Sequence, residues 1–214
     1  MIVLNLKTYK DSIEKPLFFT DIVNEVVSDT GLRIIICPPN LFLKEAAERF
    51  SDVFAQYVDH EEPGAYTGST PVAMLKEAHV KGSLVNHSEK KISEVKETVE
   101  SLHLNGLESI VCAASSKEAT KYADYSPSFI AIEPPELIES GKSVSTAKPE
   151  IVMNSVKAVK EVNHKISVLC GAGITTKDDV GKALELGAEG VLLSSAFVKA
   201  EDPKAFLAEL ASVF

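Results

Sequence analysis

Residues 166–176 read Ile166-Ser167-Val168-Leu169-Cys170-Gly171-Ala172-Gly173-Ile174-Thr175-Thr176, and after a polar stretch the chain continues Gly187-Ala188-Glu189-Gly190-Val191-Leu192-Leu193-Ser194-Ser195. The apolar run over 166–170 predicts a strand. Thr175-Thr176, followed by Asp178 and Asp179, opens a helix, because hydroxyl and carboxylate oxygens satisfy the bare N–H groups of a first turn. Val180, Ala183 and Leu184 then mark one apolar face, and Gly187 stops the helix. A second apolar run over 190–194 is the next strand. Strand, glycine turn, helix and strand form a βαβ unit, the building block of a parallel sheet.

Outward from this unit the same alternation fills the chain. Further apolar runs at 2–7, 33–37, 52–58, 83–86, 107–113 and 129–132 bring the strands to eight, each followed by a candidate helix. Phe19, Ile22, Val23, Val26 and Val27 lie at i, i+3, i+4, i+7 and i+8 in the first helix. Ile92, Val95, Val99 and Leu102 form the fourth, with Ser88 expected as its N-cap. Val152, Ser155, Val156 and Val159 follow Pro149, which suits a first turn. The eighth starts near Pro203 and carries Phe206 and Leu210. No Pro/Gly/Ser-rich linker divides residues 1–214, so the expectation is one α/β domain, a closed (β/α)8 barrel of eight parallel strands with outer helices. A doubly wound open sheet competes, but no strand is followed by a Gly-x-Gly-x-x-Gly turn.

Composition narrows the class of function. With 22 Lys and Arg against 31 Asp and Glu the net charge is −9, which disfavours nucleic acid and anionic membranes as partners. An anionic small molecule would have to be held by a few local donors. No apolar run approaches the ~18 residues of a membrane span. The start, Met1-Ile2-Val3-Leu4-Asn5-Leu6-Lys7, lacks the basic and apolar regions of an export signal, so a cytoplasmic location is expected. Cys37, Cys112 and Cys170 sit singly inside apolar runs, as buried reduced thiols do. His60, His79, His103 and His164 have no metal-ligand spacing, and surface or capping roles are expected for them.

Active sites of parallel barrels lie at the C-terminal ends of the strands. There the chain places Asn5 and Lys7, Asn86-His87-Ser88-Glu89, Glu133-Pro134-Pro135, Gly171-Ala172-Gly173 and Ser194-Ser195. A lysine inside a barrel needs a charge or a strong acceptor, so Lys7 reads either as a structural ion pair or as a site cation. His87, set before a positive helix end, is expected neutral and able to donate a hydrogen bond; the alternative is an ordinary loop histidine. Glu133, between an apolar strand and a stiff Pro-Pro, is a candidate base, or else a surface carboxylate. Gly173, Ser194 and Ser195 could offer backbone N–H groups to an anion, although Gly-Ala-Gly also serves as a plain turn. Residues 134–147 are long for a connection and read as a lid or as a disordered loop.

These motifs, with Gly64-Ala65-Tyr66-Thr67-Gly68 between them, resemble the triosephosphate isomerase family, specifically its compact archaeal branch. The resemblance also covers Pro134-Pro135-Glu136-Leu137-Ile138 and Gly190-Val191-Leu192-Leu193-Ser194-Ser195, in family order along nearly the whole chain. It implies a TIM barrel and the interconversion of dihydroxyacetone phosphate and glyceraldehyde 3-phosphate through an enediol(ate), without metal or organic cofactor. Glu133 would then be the base and His87 the neutral electrophile, a pairing known for that family. Lys7 and Asn5 would stabilise the oxyanion and bind substrate. Gly173, Ser194 and Ser195 would cradle the phosphate, Ile138 would ride on the lid, and Glu89 would support the site. Loop 64–68 implies self-association as a homodimer or homotetramer. One departure stands out: where family lids place a glycine after the residue matching Ile138, this chain has Glu139, whose side chain is expected to face solvent. Rival readings are another phosphate-binding barrel, such as a phosphoribosyl isomerase, and a sugar-phosphate binder without turnover.

Overall fold

The computed structural model describes residues 1–137 and 143–214. Ile138 and Glu139, singled out above as lid residues, lie outside the described residues.

Eight strands, β1 (Ile2–Asn5), β2 (Ile34–Cys37), β3 (Phe54–Ala55), β4 (Gly82–Val85), β5 (Glu108–Ala113), β6 (Phe129–Ile132), β7 (Ser167–Cys170) and β8 (Gly190–Leu193), form one sheet. All pairings are parallel, in the order β2-β1-β8-β7-β6-β5-β4-β3. The ends of that order meet through a parallel bridge from Ile36 to Val53, where the Ile36 N–H donates to the Asp52 carbonyl at 3.1 Å. The sheet is therefore a nearly closed barrel, and the doubly wound alternative is excluded.

Alternation along each strand builds two cores. Val3, Ile35, Phe54, Leu84, Ile110, Cys112, Phe129, Ala131, Leu169 and Leu192 fill the barrel, while Ile2, Leu4, Ile34 and Ile36 meet the outer helices. Both faces of every strand are buried, which is why the strands read as unbroken apolar runs. The long helices bury the stripes read from their periodicity. Pro16–Thr30 covers Phe19, Ile22, Val23 and Val26, and Pro149–Val162 starts on its proline and covers Val152, Ser155 and Val159. Gly31, Gly106 and Gly187 stop helices at positive φ, whereas Gly82 and Gly190 open strands where a side chain would collide with a neighbouring carbonyl.

Three local expectations need correction. β1 ends at Asn5 rather than at residue 7, and β3 is two residues long instead of seven. The fourth long helix begins at Val95, so Ser88 is not its cap; Glu94 holds that place without a side-chain cap bond. Residues 88–94 are spent on a turn closed by the Lys90 N–H to the His87 carbonyl at 2.8 Å. None of the described helices is long and apolar enough to cross a membrane.

Candidate active site

The inward parity of the strands, carried one step past their ends, selects the site. Val3 points inward, and so does Asn5; the same step leads from Ala131 to Glu133, from Leu169 to Gly171 and from Leu192 to Ser194, whereas after β4 the turn at Asn86 brings His87 to the cavity instead. These positions meet at the C-terminal mouth of the barrel. A cavity of 380 Å³ there is lined by Asn5, Lys7, His87, Glu133, Gly173, Ser194 and Ser195, among others. Every described residue expected to catalyse or to bind substrate lines this one cavity.

Lys7 reaches the cavity by a route that strand alternation does not supply. It lies beyond β1 with φ at 47°, a left-handed conformation that costs a residue with a Cβ about 1–3 kcal/mol. Asn5 holds the turn: its Oδ1 accepts the Lys7 N–H at 3.0 Å. Gln56, just past β3, donates from Nε2 to both the Lys7 and the Cys37 carbonyl at 3.0 Å and fixes the other side. The Lys7 ammonium bonds Glu89 Oε1 at 2.5 Å, so the lysine is both ion-paired and on the cavity wall.

His87 is 7 % exposed and follows Asn86, whose φ of 60° turns the chain at the end of β4. Asn86 Nδ2 donates to the Cys112 carbonyl and to the Tyr122 hydroxyl, and its Oδ1 accepts from the Ile92 N–H. On the imidazole, Nδ1 accepts the Glu89 N–H at 3.2 Å. That bond leaves the neutral ring's single proton on Nε2, which faces the cavity. The contact that orients the ring is a backbone N–H in a turn and not a helix end.

Glu133 is 4 % exposed, and its Oε1 stands 3.6 Å from His87 Nε2. Burial pushes its carboxyl above the ordinary value of 4.5, with His87, Cys112 and Lys7 pulling the other way. Oε2 is buried without a hydrogen-bond partner. A desolvated carboxylate beside a hydrogen-bond donor is suited to take a proton from an acidic C–H. Room for it comes from Gly171, where a Cβ would stand 2.7 Å from Glu133 Cγ.

The opposite wall runs from Gly171 to Thr175 and from Ser194 to Ala196. Gly173 takes φ 71°, and behind it Thr176 caps the helix Lys177–Glu185 in a reciprocal capping box with Asp179. Asp179 Oδ2 also accepts from the Thr175 N–H at 3.0 Å, which anchors the turn. The Ser194 hydroxyl is buried with no partner, an uncompensated polar group on a cavity wall. Among the described residues no group of three or more His, Cys, Asp or Glu is placed to hold a metal ion.

Carboxylate, histidine and lysine thus follow strands six, four and one of the barrel. The family model described as triosephosphate isomerase matches residues 1–213. The chain belongs to the triosephosphate isomerase family. Curated triosephosphate isomerases of Methanothermus fervidus and Archaeoglobus fulgidus are each 47 % identical to it over 214 residues, covering 98 % of this chain and 96 % of theirs. That of Methanobrevibacter smithii is 41 % identical over 216 residues, with 99 % and 97 % covered. The phosphoribosyl isomerase alternative falls with this assignment. Sequence reasoning missed the supports of this triosephosphate isomerase site: Gln56 under Lys7, the bonds of Asn86 behind His87, and Tyr9 and Lys199 on the cavity rim.

Proposed function

We propose that this chain interconverts dihydroxyacetone phosphate and D-glyceraldehyde 3-phosphate through an enediol(ate), a step of glycolysis and gluconeogenesis. One observation carries the reading: a buried carboxylate with a raised pKa faces the Nε2 of a histidine whose Nδ1 is already an acceptor. Glu133 takes the proton from the carbon beside the carbonyl, and the electron pair moves onto the carbonyl oxygen. The His87 Nε2–H donates to that oxygen, while Lys7 and Asn5 face the developing negative charge. Glu133 then returns the proton to the neighbouring carbon, and His87 carries protons between the two oxygens. Gly173, Ser194 and Ser195 receive the phosphate through N–H and hydroxyl donors, and the family resemblance adds Ile138 to the substrate-binding residues. Glu89 aims Lys7. A cytoplasmic location is part of the same proposal.

Self-association is part of this proposal. Residues 62–68 are exposed throughout, with Tyr66 at the tip. A second cavity of 320 Å³ opens on the other side of Lys7 and His87, between Asn40, Gln56 and Lys90. Loop 64–68 of a second copy would enter this cavity and close the site from outside, giving a homodimer, with a homotetramer as the larger assembly.

The test is a coupled assay of the purified protein with glyceraldehyde 3-phosphate beside Glu133→Gln. Turnover in the parent, and its loss in a variant that still binds a phosphate ligand, supports the reading. Binding without turnover in the folded parent would make the chain a sugar-phosphate binder instead.

A further inference from the structure

Lys7 and Lys199 are the two lysines on the cavity wall, and their surroundings differ. The Lys7 ammonium is bonded to the Glu89 carboxylate at 2.5 Å, so much of its field is cancelled before any ligand arrives. Lys199 ends the short helix Ser195–Val198, one turn beyond Ser194 and Ser195. Its Nζ stands 4.8 Å from the centroid of the Tyr9 ring, which lies on the same wall. Lys199 forms no ion pair with any described residue. An aromatic face restrains an ammonium without neutralising it, whereas a carboxylate does both. The barrel mouth therefore presents an uncancelled positive charge beside the Gly173 and Ser194 wall. The chain as a whole carries a net charge of −9, which repels a phosphate dianion at long range.

We propose that Lys199, held on the Tyr9 ring, is a second cation for the substrate's phosphate group, one that draws in and retains the dianion without touching the reacting carbons. The proposal rests on the reading of this cavity as a triose phosphate site. Lys199 is exposed, so its charge acts through solvent; it affects encounter and binding more than the chemical step. The Tyr9 ring matters for where the ammonium sits, and the Tyr9 hydroxyl does not enter the argument.

The experiment compares Lys199→Met, Lys199→Arg, Tyr9→Phe, Tyr9→Leu and Lys165→Met with the parent. Lys165 is exposed ahead of β7, at the opposite end of the barrel, and its loss changes the net charge equally. Three quantities are read: kcat and KM for glyceraldehyde 3-phosphate between about 10 and 300 mM salt, the Ki of inorganic phosphate, and kcat/KM for phosphate-free glyceraldehyde. Lys199→Met is expected to lower kcat/KM about fivefold to tenfold at low salt, through KM, and to flatten its salt dependence. The Ki of inorganic phosphate should rise in parallel, with kcat within about twofold of the parent and glyceraldehyde unaffected. Lys199→Arg and Tyr9→Phe should behave as the parent, and Tyr9→Leu should lose part of the effect. If Lys199→Met matches Lys165→Met in salt dependence and phosphate Ki, the proposal is overturned while the isomerase reading stands. If the parent handles glyceraldehyde as well as its phosphate and inorganic phosphate does not compete, the triose phosphate reading itself fails.

Discussion

Replacing Gly171 by alanine would test whether Glu133 is held in place by packing. A Cβ there would lie 2.7 Å from Glu133 Cγ, 3.4 Å from its Cδ and 3.3 Å from the Ile132 carbonyl oxygen. Gly171 is not among the glycines at positive φ, so alanine strains no backbone angle and the effect is one of contact alone. Restoring an ordinary carbon–carbon separation of about 3.5 Å asks Cγ to retreat by about 0.8 Å. The Ile132 carbonyl belongs to a paired strand and cannot give way, and Glu133 is 4 % exposed, so the carboxylate takes up the shift. Misplacement of a reacting group by about 1 Å can cost about 100-fold in rate. We therefore expect kcat for glyceraldehyde 3-phosphate to fall by roughly 30- to 100-fold, with KM within about threefold, because Gly173, Ser194 and Ser195 are not among the atoms the new Cβ meets. Thermal melting in parallel should show a loss of no more than about 1–3 kcal/mol for a tight but local clash. A kcat within twofold of the parent would refute the idea that Gly171 sets the position of the carboxylate.

Other expectations follow from the same geometry. Because burial raises the Glu133 carboxyl above 4.5, kcat/KM should fall on the acid side at a pH above that ordinary value, as the base takes up its proton. The same shift favours the protonated form in the folded state. Ionised Glu133 thus costs stability that is absent below 4.5, grows as pH rises to the folded pKa, and is complete above it. Glu133→Gln should accordingly melt higher than the parent at neutral pH and level with it in acid, each kcal/mol appearing as about 2–4 °C; equal melting at all pH values would contradict the sign. At the far end of the barrel, Arg33 bonds Asp52 at 3.0 and 3.1 Å and Glu108 at 2.5 and 3.2 Å, over the Phe129 ring. Arg33→Met, which leaves two carboxylates facing one another in a half-exposed network, should cost about 1–2 kcal/mol after solvent screening, with kcat unchanged; a large loss of turnover in the folded variant would count against the separation of the two ends. Tyr66→Asp should shift sedimentation toward monomer and lower activity with dilution, and an unchanged assembly would remove loop 64–68 from the contact.

The barrel was legible because each strand is buried on two faces and each helix on one, so the apolar pattern changes period at every boundary. The ends of the strands were legible for a related reason. Polar residues such as Asn5, Glu133 and Ser194 break apolar runs at positions whose inward parity then places them at the barrel mouth. The supports were not legible. Gln56 reaches a carbonyl 49 residues away, Asn86 a hydroxyl 36 residues away, and Lys199 a ring on the first turn of the chain. No local pattern records such distances. Ser88 misled as a helix cap because serine before an amphipathic stretch is the usual signal, and here a turn intervenes before Val95. Lys7 reaches the cavity through the left-handed turn held by Asn5, which an apolar run over 2–7 does not reveal.

The central claim is that Glu133 moves a proton between neighbouring carbons. The most direct measurement follows glyceraldehyde 3-phosphate in D2O by NMR, in the parent and in Glu133→Gln. The account predicts dihydroxyacetone phosphate carrying deuterium on the carbon that receives the proton, formed by the parent and not by the variant. Turnover that survives in Glu133→Gln at the parent's rate, with the same deuterium content in the product, would contradict it.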